Sequence, residues 1–255
     1  MPPLPYSLEA TTGPSLGLVV LQTDETIEAD FRCLFGHDLR LFVTRIPSAA
    51  SVTSESLATM EGALPAAAAL LPRGITFDAI GYGCTSAAAE IGSAGVARAI
   101  AAGVKTRAVT EPLSALLAAT RALGVTRLAF LSPYVESVSA KLRAALAAGG
   151  VATPVFGSFE EPQEARVARI DVGSIIEAGR VLAAEGGADA LFLSCTNLRT
   201  LDTIEALEAE TALPVLSSNL VLAWHMAALA GLSRSCAGPG RLLSPHPAAR
   251  AAQIS

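Results

Sequence analysis

Phe77-Asp78-Ala79-Ile80-Gly81-Tyr82-Gly83-Cys84-Thr85 and Ala188-Asp189-Ala190-Leu191-Phe192-Leu193-Ser194-Cys195-Thr196 decide the fold of this chain. Both read Asp-Ala, four residues, then Cys-Thr, and they stand about 110 residues apart. Upstream, Leu16-Gly17-Leu18-Val19-Val20-Leu21 lines up with Thr126-Arg127-Leu128-Ala129-Phe130-Leu131 at nearly the same offset. In each half an apolar run is followed by polar residues, a helical pattern, a second apolar run and a Cys-Thr loop. Two matches at one offset mark an internal duplication.

Short apolar runs bounded by turn residues are the pattern of strands buried on both faces in a parallel sheet. They fall at 16–21, 39–45, 76–82, 106–109, 127–132, 152–156, 188–193 and 213–216. Ala-rich helical stretches alternate with them at 25–35, 54–71, 94–102, 112–122, 135–148, 173–185, 202–209 and 219–230. Gly103, Gly149-Gly150 and Gly186-Gly187 stand where helices should stop. The alternation predicts an α/β protein with two pseudo-symmetric lobes, each a parallel sheet flanked by helices, and the active site in the cleft between them. The first lobe is expected over 15–112 with a returning helix at 219–232, and the second over 113–218. The peripheral tails, 1–14 and 233–255, are expected to be loose or to lie on the surface.

Composition narrows the class of function. Of 255 residues, 51% are hydrophobic and 16% charged, which favours a densely packed globular protein over a disordered one. The richest apolar stretch, 63–71, contains Pro65 and stops at Pro72, well short of the roughly 20 residues of a membrane span. No basic segment followed by an apolar one opens the chain, so a soluble, cytoplasmic protein is expected. A net charge of -5 without any Lys/Arg run argues against nucleic acid or an anionic membrane as partner. Cys33, Cys84, Cys195 and Cys236 form no CxxC and read as reduced thiols. His37, His225 and His246 share no ligand spacing, and no metal site is expected.

Ligands of open α/β sheets bind beyond the carboxyl ends of the strands. Four polar segments reach that edge: Gln22-Thr23-Asp24, Cys84-Thr85-Ser86, Ser132-Pro133-Tyr134 and Cys195-Thr196-Asn197. If a pseudo-twofold axis relates the halves, Cys84 and Cys195 face each other across one cleft. Two opposed thiols suit racemisation or cis-trans rearrangement, because one face of a carbon is attacked or deprotonated while the other receives a proton. Thiolate is scarce at a free pKa of about 8.5, so a helix start rich in N–H donors is expected to lower it. The same donors would hold a substrate carboxylate. No organic cofactor is needed for such chemistry, and none is expected.

Plainer readings stand beside these. Cys33, next to Phe31, Leu34 and Phe35, fits a small core hydrophobe, and Cys236 in the tail fits no role. Asp24, Thr85 and Thr196 fit helix caps as well as substrate contacts. Tyr134 fits a core residue with its hydroxyl in water, while Trp224 and His225 lie in an apolar helix and read as core. Cys84 and Cys195 differ from the other cysteines because both end a strand in register among small polar residues.

On Gly17-Leu18-Val19-Val20, Gly83-Cys84-Thr85-Ser86, Ser132-Pro133-Tyr134, Leu193-Ser194-Cys195-Thr196-Asn197 and Pro214-Val215-Leu216-Ser217-Ser218, the chain resembles the aspartate/glutamate racemase superfamily. Within it the similarity is to the branch of maleate cis-trans isomerase and arylmalonate decarboxylase, over nearly the whole chain from Leu16 to Leu232. The resemblance implies cofactor-independent chemistry, free of pyridoxal phosphate, through a cysteine pair in a two-lobed homodimer or higher homo-oligomer. Arylmalonate decarboxylases keep only the second cysteine, so Cys84 counts against decarboxylation. Maleate isomerases have both, with a tyrosine like Tyr134 on the substrate carboxylate. They carry asparagine where this chain has Asp24, and more apolar residues where it has Thr85-Ser86.

A carboxylate at Asp24 would repel a dianion and pair with an ammonium. The sequence therefore points to a two-cysteine isomerase racemising an amino acid or related small carboxylic acid. Its alternatives are maleate cis-trans isomerisation by thiolate addition, an arylmalonate-type decarboxylation, and a non-catalytic carboxylate-binding protein. Cys84 and Cys195 are the candidate catalytic residues. Gln22, Thr23, Asp24, Thr85, Ser86, Tyr134, Thr196 and Asn197 are candidate substrate contacts. Arg166 and its neighbour Arg169 are candidate carboxylate partners that fit surface positions as well.

Overall fold

The computed structural model describes residues 3–10, 12–36, 39–233 and 236–244. Two four-stranded, all-parallel sheets organise it. The first runs in the order β2 (Arg40–Ile46), β1 (Ser15–Leu21), β3 (Ala79–Gly83), β4 (Val109–Thr110). The second repeats that order with β6 (Ala152–Ser158), β5 (Arg127–Ser132), β7 (Ala190–Leu193) and β8 (Val215–Ser217). In both, the chain leaves the first strand on one side and returns on the other, so a crevice opens at the carboxyl ends of β1/β3 and β5/β7.

The repeated aspartates explain why the duplicated motif begins where it does. Asp78 and Ser15 exchange two hydrogen bonds, Asp78 N–H to Ser15 O at 2.9 Å and Ser15 N–H to Asp78 Oδ2 at 2.9 Å. Asp189 and Arg127 do the same at 2.8 and 3.0 Å. Each aspartate thus pins the start of a lobe's third strand to the start of its first, fixing the register that carries the cysteine to the far edge. The Arg127 guanidinium holds the Asp189 carboxyl down to about 2.

Helices cover both sheets: α1 (Ile27–Phe35), α2 (Ser54–Ala68), α3 (Thr85–Ile91), α4 (Ser93–Gly103), α5 (Pro112–Leu123), α6 (Glu136–Ala148), α7 (Glu164–Val167), α8 (Val172–Ala184), α9 (Ile204–Thr211) and α10 (Ser218–Leu229). Local signals set several ends. Thr53 and Ser56 form a capping box for α2, and Glu111 caps α5 ahead of Pro112. Gly124 ends α5 at φ 68, in the left-handed region. Helix α10 follows the last strand yet packs on β3, α1 and α5 of the first sheet's side. Gly81 permits this, because a Cβ there would stand 2.4 Å from Met226 Sδ. Buried apolar side chains run as one cluster through both sheets, with Phe130 and Phe192 edge-on at 5.3 Å in the second.

Differences from the sequence reading are local. Helices α3 and α7 are absent from the helical stretches read from the sequence, being seven and four residues long, too short to show a periodic apolar face, although a helix start at the thiols was expected. Strand β4 is two residues and overlaps the expected 106–109 only at Val109, and Phe77 makes only an isolated bridge to Thr106. Cys33 is exposed rather than core. The 236–244 segment packs on the second sheet's helices and on α1: Ala237 N–H donates to Leu34 O at 2.8 Å, Arg241 N–H to Glu208 Oε1 at 3.1 Å, and Cys236 is buried. Residues 1–2, 11, 234–235 and 245–255 of the tails, with His37 and His246, lie outside the described residues. Among the described residues no helix is long and apolar enough to cross a membrane.

Candidate active site

The four strand-end loops meet at the crevice, held by bonds between lobes. Cys84 is the N-cap of α3, and its Sγ accepts the Ala87 N–H at 3.4 Å. Cys195 lies two residues beyond β7 with φ at 95°, a left-handed backbone that costs on the order of 1–3 kcal/mol in a residue with a Cβ. Its sulfur accepts the Asn197 N–H at 3.3 Å, and no helix begins there. Ser218 Oγ accepts both the Cys195 N–H, at 3.0 Å, and the Thr85 hydroxyl, at 2.8 Å, so one side chain ties the two thiol loops. Asn197 reaches the β1 loop, its Oδ1 accepting the Glu25 N–H at 2.8 Å.

The β1 loop is shaped from two sides. Asp24 Oδ1 accepts the Thr26 and Ile27 N–H groups at 2.8 and 2.9 Å and so starts α1. Beneath it Arg45, from β2, donates to the carbonyl oxygens of Leu21, Gln22 and Asp24 at 2.9, 3.2 and 2.9 Å. Asp24 is thus a cap with one oxygen. Its other oxygen, Oδ2, is buried without a hydrogen-bond partner, since the nearby Thr196 hydroxyl donates to Gly83 O.

Cys84, Cys195, Thr85, Ser86, Thr196 and Tyr134 line one cavity, walled by Leu21, Val52 and Leu57. Glu164, which the sequence reading missed, is the remaining lining residue; its carboxylate accepts the Tyr134 hydroxyl at 2.6 Å and Asn197 Nδ2 at 2.9 Å. The Tyr134 hydroxyl also stands 2.9 Å from Cys195 Sγ. The cavity is about 10 Å³, room for one water at most, although a groove of about 550 Å³ lies at the opposite strand ends beside Arg40, Asp78 and Arg107. The small cavity is the candidate site because the thiols and strand carboxyl ends converge there; the large groove has neither. A strap closes it: Ser51 and Gln163 form an antiparallel bridge, with Val52 N–H on Pro162 O at 3.1 Å and Glu164 N–H on Ala50 O at 3.2 Å.

No lysine or arginine lines this cavity. Burial pushes the Cys84 thiol up to about 12, with Glu164 and Asp24 adding repulsion against the pull of the Ala87 N–H. The Cys195 thiol is also raised, by burial first and then by Glu164, against the pull of Tyr134 and Asn197. The expectation of thiols lowered by a helix start is therefore reversed, because one N–H per sulfur does not offset desolvation beside two acids. Burial raises Asp24 to about 6, and Asp30 behind it, bonded to Asn219 Nδ2 at 2.8 Å, to about 7.

Of the other residues singled out from sequence, Gln22 is exposed and joined to the fold by its backbone, and Thr23 hydrogen-bonds Ser48 at 3.1 Å; neither lines the cavity. Arg166 is also outside it, exposed and paired with Glu161 at 2.6 Å, because α7 turns its side chain outward while burying Glu164. Arg169 pairs with Glu25 at 3.0 Å on the surface. His225 is partly buried, 2.8 Å from Thr110 Oγ1, and away from the thiols. Among the described residues no group of three His, Cys, Asp or Glu could hold a metal ion.

The sheet order and the second half of the chain agree with one family. The arylmalonate decarboxylase family model matches residues 108–243, and the chain belongs to that family. It is 33% identical over 135 residues to arylmalonate decarboxylase of Bordetella bronchiseptica, a match covering 52% of this chain and 56% of that protein, so it spans little more than half of that relative. It is 28% identical over 241 residues to maleate isomerase of Nocardia farcinica, covering 89% of this chain and 94% of that protein. A cysteine-to-serine variant of the Nocardia farcinica maleate cis-trans isomerase, with a covalently bound succinylcysteine intermediate, superposes with a TM-score of 0.82 at 26% identity over 91% of this chain and 98% of that one. These relatives are enzymes, and the fold is theirs.

Proposed function

We propose that this protein is a cofactor-independent isomerase that works through Cys84 and Cys195 on a small unsaturated carboxylic acid, in the manner of the maleate isomerases it resembles. The observation that carries this reading is the presence of both thiols, from the ends of β3 and β7, in the wall of one enclosed cavity. One thiolate adds to a carbon of the cis double bond, and the electron pair moves towards the conjugated carboxylate. The former double bond then rotates as a single bond, and expulsion of the thiolate leaves the trans acid. The succinylcysteine held by the Nocardia farcinica relative fits such an addition. Similarity to maleate isomerase along nearly the whole chain, with Cys84 present, favours this over decarboxylation. Fumarate formed from maleate, followed by NMR, tests it. Cys84→Ala and Cys195→Ala should each lower turnover at least about a hundredfold. Folded protein that converts no cis-unsaturated acid would remove the reading, and decarboxylation of a disubstituted malonate retained in Cys84→Ala would favour a decarboxylase.

One observation favours a second reading. Glu164, which lines the cavity, and Asp24, buried near the thiols but outside the lining, are acidic groups with no cation among the lining residues. They would repel a dianion and pair with an ammonium, which suits racemisation of an amino acid. Deuterium entering the α position of a single enantiomer in deuterated water would support racemisation; its absence across the common amino acids would exclude it.

A further inference from the structure

We propose that Glu164 is the proton acceptor for the Cys195 thiol, acting through the Tyr134 hydroxyl. This rests on the reading of Cys195 as a reacting thiol, but it does not depend on which acid is turned over. The geometry is a chain of three groups: Cys195 Sγ to Tyr134 Oη at 2.9 Å, then Tyr134 Oη to Glu164 Oε1 at 2.6 Å. Tyr134 has one hydroxyl proton, and a carboxylate is an acceptor only, so that proton points to Glu164. The Tyr134 oxygen is then left to accept from the Cys195 S–H.

In the transfer, Cys195 gives its proton to Tyr134 Oη as Tyr134 gives its own to Glu164 Oε1. The S–H bonding pair stays on sulfur. Cys195 becomes a thiolate, Tyr134 is unchanged, and Glu164 becomes a neutral carboxylic acid. The trio carries one negative charge before and after. Loss of the same proton to solvent would instead place a thiolate beside an ionised Glu164, both buried, and that repulsion contributes to holding the thiol up. Internal transfer removes the repulsion in the step that makes the nucleophile.

The surroundings are arranged for both end states. Asn197 Nδ2 donates to Glu164 Oε2 at 2.9 Å and to Glu164 O at 3.2 Å, while the Asn197 N–H points at Cys195 Sγ from 3.3 Å. One residue therefore fixes the acceptor and stabilises the sulfur once it is charged. The Glu164 N–H is held by Ala50 O in the strap, which sets the carboxylate in place when the cavity is closed.

The test is the rate at which iodoacetamide, a neutral reagent, modifies Cys195 at pH 7 in a Cys84→Ala background, read by mass spectrometry of the Cys195 peptide. Glu164→Gln and Tyr134→Phe should each slow modification about a hundredfold, the low end for general-base assistance. In both variants the rate should then climb with pH as the buried thiol loses its proton to solvent. Glu164→Asp, which keeps the charge but withdraws it from Tyr134, should be slowed like Glu164→Gln. If Glu164 only repels the thiolate, Glu164→Gln accelerates modification. An unchanged or faster rate in Glu164→Gln, or an unchanged rate in Tyr134→Phe, would overturn the proposal, and Tyr134→Phe decides alone should Glu164→Gln not fold. Because no substrate is used, slowed modification in a protein that isomerises nothing would keep the relay and remove the isomerase reading.

Discussion

The Thr196 hydroxyl donates to the Gly83 carbonyl oxygen at 3.2 Å, so the residue after the second thiol is bonded to the residue before the first. Pseudo-symmetry brings the two loops to one place, but this bond and the Ser218 bridge set their spacing. The spacing between the thiols is therefore a property of lobe-to-lobe contacts, and substitutions at those contacts should act on both cysteines together.

Ser218 is the first case. It is fully buried and accepts from Cys195 N–H and Thr85 Oγ1. Ser218→Ala leaves two buried donors without their acceptor and should lower stability by about 1–3 kcal/mol. Urea denaturation checks it; a midpoint unchanged from wild type would mean that water or another group replaces the hydroxyl.

Backbone strain at Cys195 gives an opposite sign. At φ 95 a glycine is tolerated where a residue with a Cβ is strained. Cys195→Gly and Cys195→Ala both remove the thiol, yet the glycine variant should be the more stable by about 1 kcal/mol. Glycine ordinarily weakens a fold relative to alanine through its looser unfolded state. Equal or reversed denaturation midpoints would show that the strain is relieved elsewhere.

Stability should fall as pH rises across the range where Asp30 titrates. Burial raises its carboxyl from the usual 3.8 to about 7, so between these values the folded chain holds a proton that the unfolded chain has released. The contribution is fully present below about 4 and is lost as pH passes about 7. Asp24, raised to about 6, acts in the same direction. Asp30→Asn should flatten the dependence, gaining on the order of 2 kcal/mol relative to wild type at pH 8 compared with pH 5. Equal slopes in urea midpoints between pH 5 and 8 would assign the effect to other groups.

The strap supplies a test of gating. The bonds flanking the Ser51–Gln163 pair belong to Ala50/Glu164 and Val52/Pro162, which makes the pair itself the close, non-hydrogen-bonded kind. Its Cα atoms are then about 4.5 Å apart, within disulfide reach. Oxidised Ser51→Cys/Gln163→Cys protein should admit neither substrate nor iodoacetamide to a cavity of about 10 Å³, and reduction should restore both. Undiminished access with the crosslink formed would place the entrance elsewhere.

The duplication, the parallel sheets and the strand-end cysteines were legible in the sequence because each depends on local order. Asp78 and Asp189 recur for a local reason, a paired bond to the start of the neighbouring strand. Tyr134, Thr85, Ser86 and Thr196 were found by the same rule, each following a buried strand. Gln22, Thr23 and Arg166 were also close in sequence to the site, but side-chain direction takes them elsewhere. Glu164 carried no comparable signal. It lies on a four-residue helix without a periodic face, about 30 residues before Cys195, and its inward position is visible only in its bonds to Tyr134, Asn197 and Ala50.

By itself, then, the sequence determined the two-lobed α/β architecture and which two cysteines stand at strand ends, since strand pattern and turn chemistry act over a few residues at a time. Tertiary structure alone decided the state of those thiols. A pKa depends on what else is buried within a few ångströms, and Asp24, Glu164 and Tyr134 reach Cys84 and Cys195 from separate segments of the chain. That is why an expected pair of activated thiolates is in fact a pair of buried thiols beside two acids, with a proton acceptor standing ready behind one of them.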